Sequence, residues 1–369
     1  MEEGSDKQGP LKKHMLTRRS TIREALETIE RTGEEIALIG EEGKLYGIVT
    51  DSDVRKGMLK GATMQDPVDR IVNKSYIYAF NDEPKEWVWQ RMTELHIRQM
   101  PIINRRREIV DLLLMNRRTP SPEMSTIPVL IMAGGLGTRL RPLTDQTPKP
   151  MVHVGGKPLL HTLIERLQLE GFREMILSIH YRKEEIQQYF GAGEAYGVHI
   201  HYVDEQKRMG TAGAIRLASQ LLQQPFLVIN GDIMTKLNFR RFMSFHLQQQ
   251  ASLTIASVPY EFRVPYGVIE SNEARVKYIT EKPLYQFLVS AGMYCVNPGL
   301  IHYIPDNEYF DMTQLIEAAL ANSEPVVHFP IHEYWLDIGR MPDYEKANED
   351  YKLIFEKYDS QRCADDDRG

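Results

Sequence analysis

Gly134-Gly135-Leu136-Gly137-Thr138-Arg139-Leu140-Arg141-Pro142-Leu143-Thr144, followed by Pro148-Lys149-Pro150-Met151, comes directly after an apolar stretch at residues 128–133 that reads as a buried strand. Glycines at 134, 135 and 137 let the backbone turn tightly and bring several N–H groups to one phosphate chain without side-chain obstruction. Arg139 can fork two phosphate oxygens, and Lys149 adds a compact point charge. The prolines beside Lys149 restrain the loop that presents it. A glycine-rich turn alone could be a plain strand-to-helix connection; Arg139 and the Pro-Lys-Pro run favour a phosphate loop. The Gly-Lys-Ser/Thr of a Walker A loop and the third glycine of GxGxxG are both missing.

Outward from this loop, strands and helices alternate. Strands are expected at residues 128–133, 175–180, 199–203 and 226–230, and helices at 161–170, 184–190 and 213–222. That order predicts an α/β fold with a Rossmann-like, mainly parallel sheet and ligands at the carboxyl ends of its strands. Residues 267–280 and 289–296 read as added strands forming a second wall, and 343–358 as a closing helix.

Thr119-Pro120-Ser121-Pro122-Glu123-Met124-Ser125-Thr126 has the prolines and small polar residues of an extended connector, and places a domain junction at residues 119–126. Before it, two halves repeat one pattern, at about 11–63 and 66–118. The first has a helix at 21–31, strands at 36–39 and 45–49 around Glu42-Gly43, and a helix starting near Ser52. The second has a helix at 83–95, strands at 100–103 and 109–114, and a turn at Arg105-Arg106-Arg107. Each half is too small to bury both faces of its sheet, so the halves should pack together as an α+β domain. Trp87 and Trp89 read as packing residues. Residues 1–9 are expected to form a flexible leader, 127–358 the second domain and 359–369 a flexible tail.

The chain has 369 residues and a formal net charge of −6, with no long basic run, which counts against nucleic-acid binding. Cys295 and Cys363 form no CxxC pattern and offer neither a disulfide framework nor a cysteine zinc site. No apolar run approaches the ~18 residues of a membrane helix, and the polar start does not read as a signal peptide. A cytoplasmic protein without membrane contact is expected.

From about Ile127 to Tyr351 the chain resembles the sugar-1-phosphate nucleotidyltransferase family, of the glucosamine-1-phosphate or mannose-1-phosphate guanylyltransferase type. The glycine loop resembles the family signature. Glu205 followed by Gly210-Thr211-Ala212-Gly213 is similar to its base-binding turn, and Asn230-Gly231-Asp232 to its first metal-carboxylate motif. Tyr266-Gly267-Val268, Glu281-Lys282-Pro283 and Ala291-Gly292-Met293-Tyr294 resemble the sugar-side wall, and Trp335-Leu336-Asp337-Ile338-Gly339 the second metal motif. The resemblance implies a nucleoside triphosphate and a sugar 1-phosphate as substrates, with GTP and glucosamine 1-phosphate or a related hexose 1-phosphate favoured. Such enzymes supply surface-glycan and nonulosonic acid biosynthesis. The triphosphate would lie over Gly134, Gly135, Gly137 and Thr138, with Arg139 and Lys149 catalytic and Glu205, Gly210 and Thr211 around the base. Gly267, Glu281, Lys282 and Gly292 would hold the sugar phosphate, and Asp232 and Asp337 would bind Mg²⁺, which favours oxygen ligands. Ser290 stands where the family often has Asn. Uridylyl or thymidylyl transfer, and a non-catalytic nucleotide-sensing subunit, are the alternatives. His199 and His201 share a strand face without evident carboxylate partners and are given no role.

The repeated front part resembles a CBS pair, or Bateman module. In Gly47-Ile48-Val49-Thr50-Asp51-Ser52-Asp53, Thr50 would contact a nucleotide phosphate and Asp53 the ribose hydroxyls of an adenine or guanine nucleotide effector. The alternative is a capped helix start. In the second half Leu114 replaces Thr50 and Arg117 replaces Asp53, so that site is lost or takes something more anionic. A homo-oligomer is the expected assembly.

Overall fold

The computed structural model describes residues 9–95, 97–115 and 122–355. The tail, the leader before Gly9, Arg117 and residues 119–121 of the connector lie outside the described residues. The chain divides into two compact units, Met1–Thr119 and Pro120–Gly369.

In the front unit, β1 (Met15–Thr17), α1 (Ile22–Thr32), β2 (Ile36–Glu41), β3 (Lys44–Thr50) and α2 (Asp51–Leu59) follow in order. Helix α1 turns Ile22, Ala25, Leu26 and Ile29 inward. Its first turn is closed by Thr21 and Glu24, each side chain accepting from the other's amide, at 3.2 and 2.6 Å. The second half repeats the plan with β4 (Ala79–Phe80), α3 (Lys85–Glu94), β5 (Gln99–Ile103) and β6 (Ile109–Leu114). In both halves the first strand pairs parallel to the second and the second antiparallel to the third. The halves share one apolar cluster, with Ile36, Leu38, Leu45 and Ile48 against Tyr76 and Ile103. The Tyr76 hydroxyl donates to the Leu45 carbonyl at 3.0 Å.

Trp87 and Trp89 are not packing residues. Helix α3 buries Val88 and Met92, one turn apart, and leaves the flanking Trp87 and Trp89 69% and 37% exposed. The connector is also not extended throughout. Pro122–Ser125 makes a helical turn, which a proline at the first helical position favours.

The second unit is built on a seven-stranded sheet. Its elements are β7 (Pro128–Met132), α4 (Leu159–Leu169), β8 (Glu174–Ile179), α5 (Lys183–Phe190), β9 (His199–Asp204), α6 (Gly210–Leu217), β10 (Phe226–Asn230), β11 (Ile233–Thr235) and α7 (Phe239–Gln248). Then come β12 (Leu253–Arg263), β13 (Val268–Asn272), β14 (Arg275–Thr280), β15 (Leu284–Val296), α8 (Met312–Ala321), β16 (Val326–Pro330), β17 (Trp335–Asp337) and α9 (Met341–Ile354). The strand order is β9-β8-β7-β10-β15-β12-β16. Strands β9, β8, β7 and β10 are mutually parallel, as is β16 to β12, whereas β15 runs antiparallel to both its neighbours. Apolar layers cover both faces: Ile131, Leu177 and Phe242 lie on one side, Leu130, Ile215 and Leu315 on the other.

Two expectations shift. Helix α6 starts earlier than expected, at Gly210, and gives way to a 3₁₀ turn at Ser219–Leu221. The expected second wall is only partly separate: β13 and β14 form a detached hairpin, but Phe226–Ile229 pairs with the end of β15 inside the main sheet. Chain order places β8 and β9 to one side of β7 and β10 to the other. The β7/β10 junction is therefore the switch point of the sheet, where α/β folds open a crevice. Among the described residues no helix is long and apolar enough to cross a membrane.

His246 on α7 is fully buried, bonded through Nδ1 to Thr254 Oγ1 at 2.8 Å. Burial pushes its pKa down to about 4. An unfolded chain takes up that proton near pH ~6.5, so the folded state loses stability as pH falls from there towards 4. Chemical denaturation of His246→Gln should show this pH dependence reduced by about 3 kcal/mol relative to the parent protein.

Candidate active site

At the switch point Asn230 pairs with Met132, and the Gly231 amide donates to the Met132 carbonyl at 3.0 Å. The loops leaving β7 and β10 therefore start side by side. The loop after β7 folds on itself at Gly137, whose φ is +63° and whose carbonyl accepts from Thr144 Oγ1 at 2.8 Å. A Cβ there would lie 2.9 Å from Thr144 Cγ2 and 3.0 Å from Lys149 Cβ, so only glycine fits beneath the Pro-Lys-Pro turn. Thr138 and Arg139 continue as a 3₁₀ turn ending at the buried Leu140, and Gly135 faces open space.

Lys149 is buried and forms a short ion pair with Asp232 Oδ2. Asp232 reaches Asp337 through a two-stranded ladder in which Ile233 of β11 pairs with Asp337 of β17, and the Ile338 amide donates to the Asp232 carbonyl at 3.1 Å. Arg139 and Asp343 close the cluster. A Cβ on Gly339 would lie 3.7 Å from Arg139 Nη2, 3.6 Å from Asp337 Oδ1 and 3.7 Å from Asp343 Oδ2. Burial, then the neighbouring Asp232 charge, hold the Asp337 carboxyl above its ordinary range, against the pull of Lys149 and Arg139. Asp232 Oδ1 and Asp337 Oδ1 are buried and have no hydrogen-bond partner. Two mutually repelling carboxylates, each with an unpaired oxygen, are what a hard divalent cation satisfies, so these residues fit a divalent metal ion.

The turn expected to hold the base is tied down from within. Glu205 is buried, accepting from Ser178 Oγ through Oε1 and from the Met209 amide at 3.4 Å through Oε2. A Cβ on Gly134 would come within 2.8 Å of Glu205 Oε1, so the carboxylate lies directly beneath the glycine loop. Both carboxylate oxygens of Glu205 are therefore engaged within the protein. Thr211 is likewise engaged: its amide and hydroxyl donate to Asp311 Oδ1 at 3.0 and 3.2 Å, and its hydroxyl accepts from the Met312 amide at 2.9 Å. Gly210, at φ +75°, fits under the Phe310 carbonyl.

The sugar-side residues divide into two sets. Gly292, at φ +68°, sits against Asn230, and Trp335 Nε1 donates to the Ala291 carbonyl at 2.9 Å, so this wall adjoins the carboxylates. Ser290 is engaged by Tyr294, hydroxyl to hydroxyl at 2.9 Å. Glu281 and Lys282, by contrast, are 71% and 61% exposed and 3.9 Å from each other. Gly267 lies beside Glu281 at the same outlying position. Ser178, Asp311 and Asp343 were not singled out from sequence. Only Asp311 had a signal, as an Asp before an apolar helix with Gln314 three residues on. His199 and His201 do have a carboxylate partner, Glu174 on β8, at 2.9 and 3.8 Å.

In the front unit Asp53 Oδ2 accepts from the Thr50 amide at 2.9 Å and hydroxyl at 2.6 Å. The pair thus caps α2 in this structure, and Leu114 ends β6 at the equivalent place.

A family model described as Nucleotidyl transferase matches residues 128–353, and a CBS domain model matches residues 14–60. The chain belongs to the nucleotidyl transferase family. Relatives of this nucleotidyl transferase include the mannose-1-phosphate guanyltransferase of Yarrowia lipolytica, 34% identical over 224 residues, covering 58% of this chain and 61% of that protein. The UTP–glucose-1-phosphate uridylyltransferase of Synechocystis is 31% identical over 238 residues, covering 59% and 61%. The chain thus spans about three-fifths of the length of the curated relatives it matches. The crystal structure of HddC from Yersinia pseudotuberculosis is similar at a TM-score of 0.50 and 30% identity, over 61% of this chain and 99% of that one. A second structure of HddC, complexed with GMP-PN, matches at 29% identity and TM-score 0.50.

Asp311 joins α6 to α8, and although burial alone would raise it, bonds from Tyr309 and Thr211 hold its carboxyl below the usual range. Asp311→Ala should lower the stability of the nucleotidyl transferase unit by about 2 kcal/mol in urea denaturation near neutral pH. The difference from the parent protein should narrow on acidification, as protonation removes the same interaction.

Proposed function

We propose that the protein is a cytoplasmic, Mg²⁺-dependent guanylyltransferase that condenses GTP with a hexose 1-phosphate, glucosamine 1-phosphate or a close relative, for surface-glycan or nonulosonic acid biosynthesis. The observation that carries the reading is the convergence of the glycine loop, Arg139, Lys149 and two carboxylates with unpaired buried oxygens at the sheet's switch point. A phosphate-monoester oxygen of the sugar 1-phosphate attacks the α-phosphorus. A new P–O bond forms, the α–β bridge breaks, and its electron pair leaves with pyrophosphate. No general base is needed, because a phosphate monoester is mostly dianionic above pH ~6. The obstacle is bringing two polyanions together, so the chain's work is placement and charge.

The loop from Gly134 to Thr138 offers backbone N–H groups to the triphosphate. Arg139 and Lys149 offset its charge, and Lys149 does so while tethered to Asp232. Asp232 and Asp337 would hold a divalent ion, which would supply positive charge beside the departing pyrophosphate. Lys282 and Glu281 would meet the sugar phosphate and sugar hydroxyls from the outer wall. GTP is favoured by the mannose-1-phosphate guanyltransferase relatives and by the GMP-PN complex of HddC. Uridylyl transfer is the second reading, favoured by the Synechocystis relative and by the engagement of Glu205 with Ser178. A non-catalytic sensor is disfavoured because the loop and both carboxylates are retained.

Asp232→Asn and Asp337→Asn should each abolish pyrophosphate release while circular dichroism stays unchanged; near-parent turnover in either folded variant would remove the metal assignment. Across a panel of triphosphates GTP should turn over fastest. UTP or dTTP ahead by tenfold, about 1.4 kcal/mol, would replace guanylyl by another transfer.

The front unit, as a nucleotide sensor acting through Thr50 and Asp53, would have to open their mutual cap to bind. Calorimetry of the full chain with a purine nucleotide should then give one more site per chain than Asp53→Ala does. Equal stoichiometry would leave the Thr50–Asp53 pair a helix cap only.

A further inference from the structure

Strand β9 is an edge of the main sheet, paired with β8 alone. Side chains alternate along it. Ile200 enters the core beside Met175 and Val198, which turns His199 and His201 together onto the opposite face. The parallel register sets Glu174 of β8 beside His199 and Ile176 beside His201, so the Glu174 carboxylate shares that face. Its Oε1 lies 2.9 Å from His199 Nδ1, and its Oε2 3.8 Å from His201 Nε2.

Among the described residues this carboxylate is met by two imidazoles and by no lysine or arginine. The adjacent Arg173 donates instead to the Gln168 and Phe172 carbonyls, at 2.6 and 3.0 Å. Two nitrogens and one carboxylate oxygen are the donors a borderline ion such as Zn²⁺ takes, at ~2.0–2.2 Å each. Two donors on one tetrahedral ion then stand ~3.3 Å apart. The two separations in the structure bracket that value. Drawing both rings onto one ion needs side-chain rotation only, and rings 70% and 51% exposed are free to make it. The backbone beneath them is already fixed, with the His199 amide donating to the Arg173 carbonyl at 2.7 Å.

We propose that His199, His201 and Glu174 form a zinc site at the amino-terminal end of the sheet. It is separate from the carboxylates at the switch point, because β8 runs six residues, roughly 17 Å, between Glu174 and the crevice end. Glu174 and His201 also face a groove of about 420 Å³ whose lining includes Gln223 and Gln224. The amide nitrogens of those two residues donate to the Ser219 and Thr126 carbonyls, which leaves the amide oxygens as acceptors. A water completing four-coordination has room in that groove, and acceptors for its protons.

The two metal centres differ in kind. A hard ion such as Mg²⁺ favours the oxygens of Asp232 and Asp337, whereas paired imidazoles select the softer zinc. Zinc bound here clamps an edge strand to its only neighbour. That strand continues directly into Glu205 and the turn at Gly210, so the clamp steadies the support beneath the glycine loop.

The test is a zinc titration of the full chain, stripped with a chelator and held in millimolar Mg²⁺ to occupy the oxygen site. Competition against a chromophoric chelator should show that His199→Gln and His201→Gln each bind one zinc fewer than the parent at micromolar concentration. Their affinity for that zinc should fall at least ~10-fold, with the zinc-free melting temperature unchanged. Asp232→Asn should keep the full complement. Saturating zinc should raise the melting temperature of the parent protein by about 5 °C, and that of the histidine variants by much less. With Cu²⁺ as the probe, electron paramagnetic resonance should show coupling to two imidazole nitrogens in the parent and to one in each variant. Glu174→Gln should weaken zinc while keeping both couplings. Equal zinc binding by the parent and both histidine variants, or none by the parent below millimolar zinc, overturns the proposal and leaves a plain histidine–carboxylate pairing. Coupling to a single nitrogen in the parent also overturns it, because one exposed histidine holds copper without a built site.

Discussion

Met132 and Asn230 pair at the carboxyl ends of two parallel strands, and the Gly231 amide returns to the Met132 carbonyl. Chain order on either side of that junction runs in opposite directions, so neither loop is covered by the helix of the other. The phosphate-type loop and the first carboxylate start as neighbours because of this pairing. Lys149 reaches Asp232 only because Gly137 lets the loop collapse under it, and Asp232 meets Asp337 only because β11 is carried past β17. A slip of one residue at the junction would turn Asn230 to the other sheet face and separate every member of the cluster.

Much of this was legible in the chain. The alternation of apolar strands with amphipathic helices gave the sheet and its parallel half, and the repeat gave the front unit. The glycine loop, Lys149, Asp232 and Asp337 were marked by residue types whose chemistry is hard to explain otherwise. What was not legible depended on direction. A Trp-Val-Trp run says that something is buried but not which of three neighbours faces inward, and Val88 took that place. Glu281 and Lys282 stand exposed at the turn between β14 and β15, and nothing in a charged pair announces how far its strand extends.

The surroundings of Glu205 and Thr211 were not legible for a different reason. Glu205 Oε1 accepts from Ser178, and the Thr211 amide and hydroxyl are engaged by Asp311 and Met312, partners far away in sequence. Buried polar groups find partners, and a long-range partner has no local signature. The unpaired oxygens of Asp232 and Asp337 stand out against that background. Where nearly every other acid near the crevice has been answered from within, these two have not.

The β11–β17 ladder also orders events in time. Asp232 waits for a strand about a hundred residues further along, and Trp335 must reach back to Ala291 before the wall beside it is closed. Contacts of such long sequence separation form late in folding. A nascent chain can complete β7 to β10 and present a finished-looking glycine loop while still lacking one of its two acids. The cluster assembles only after residue 337 has emerged and α9 has packed, so growing or truncated chains hold the loop without its second carboxylate.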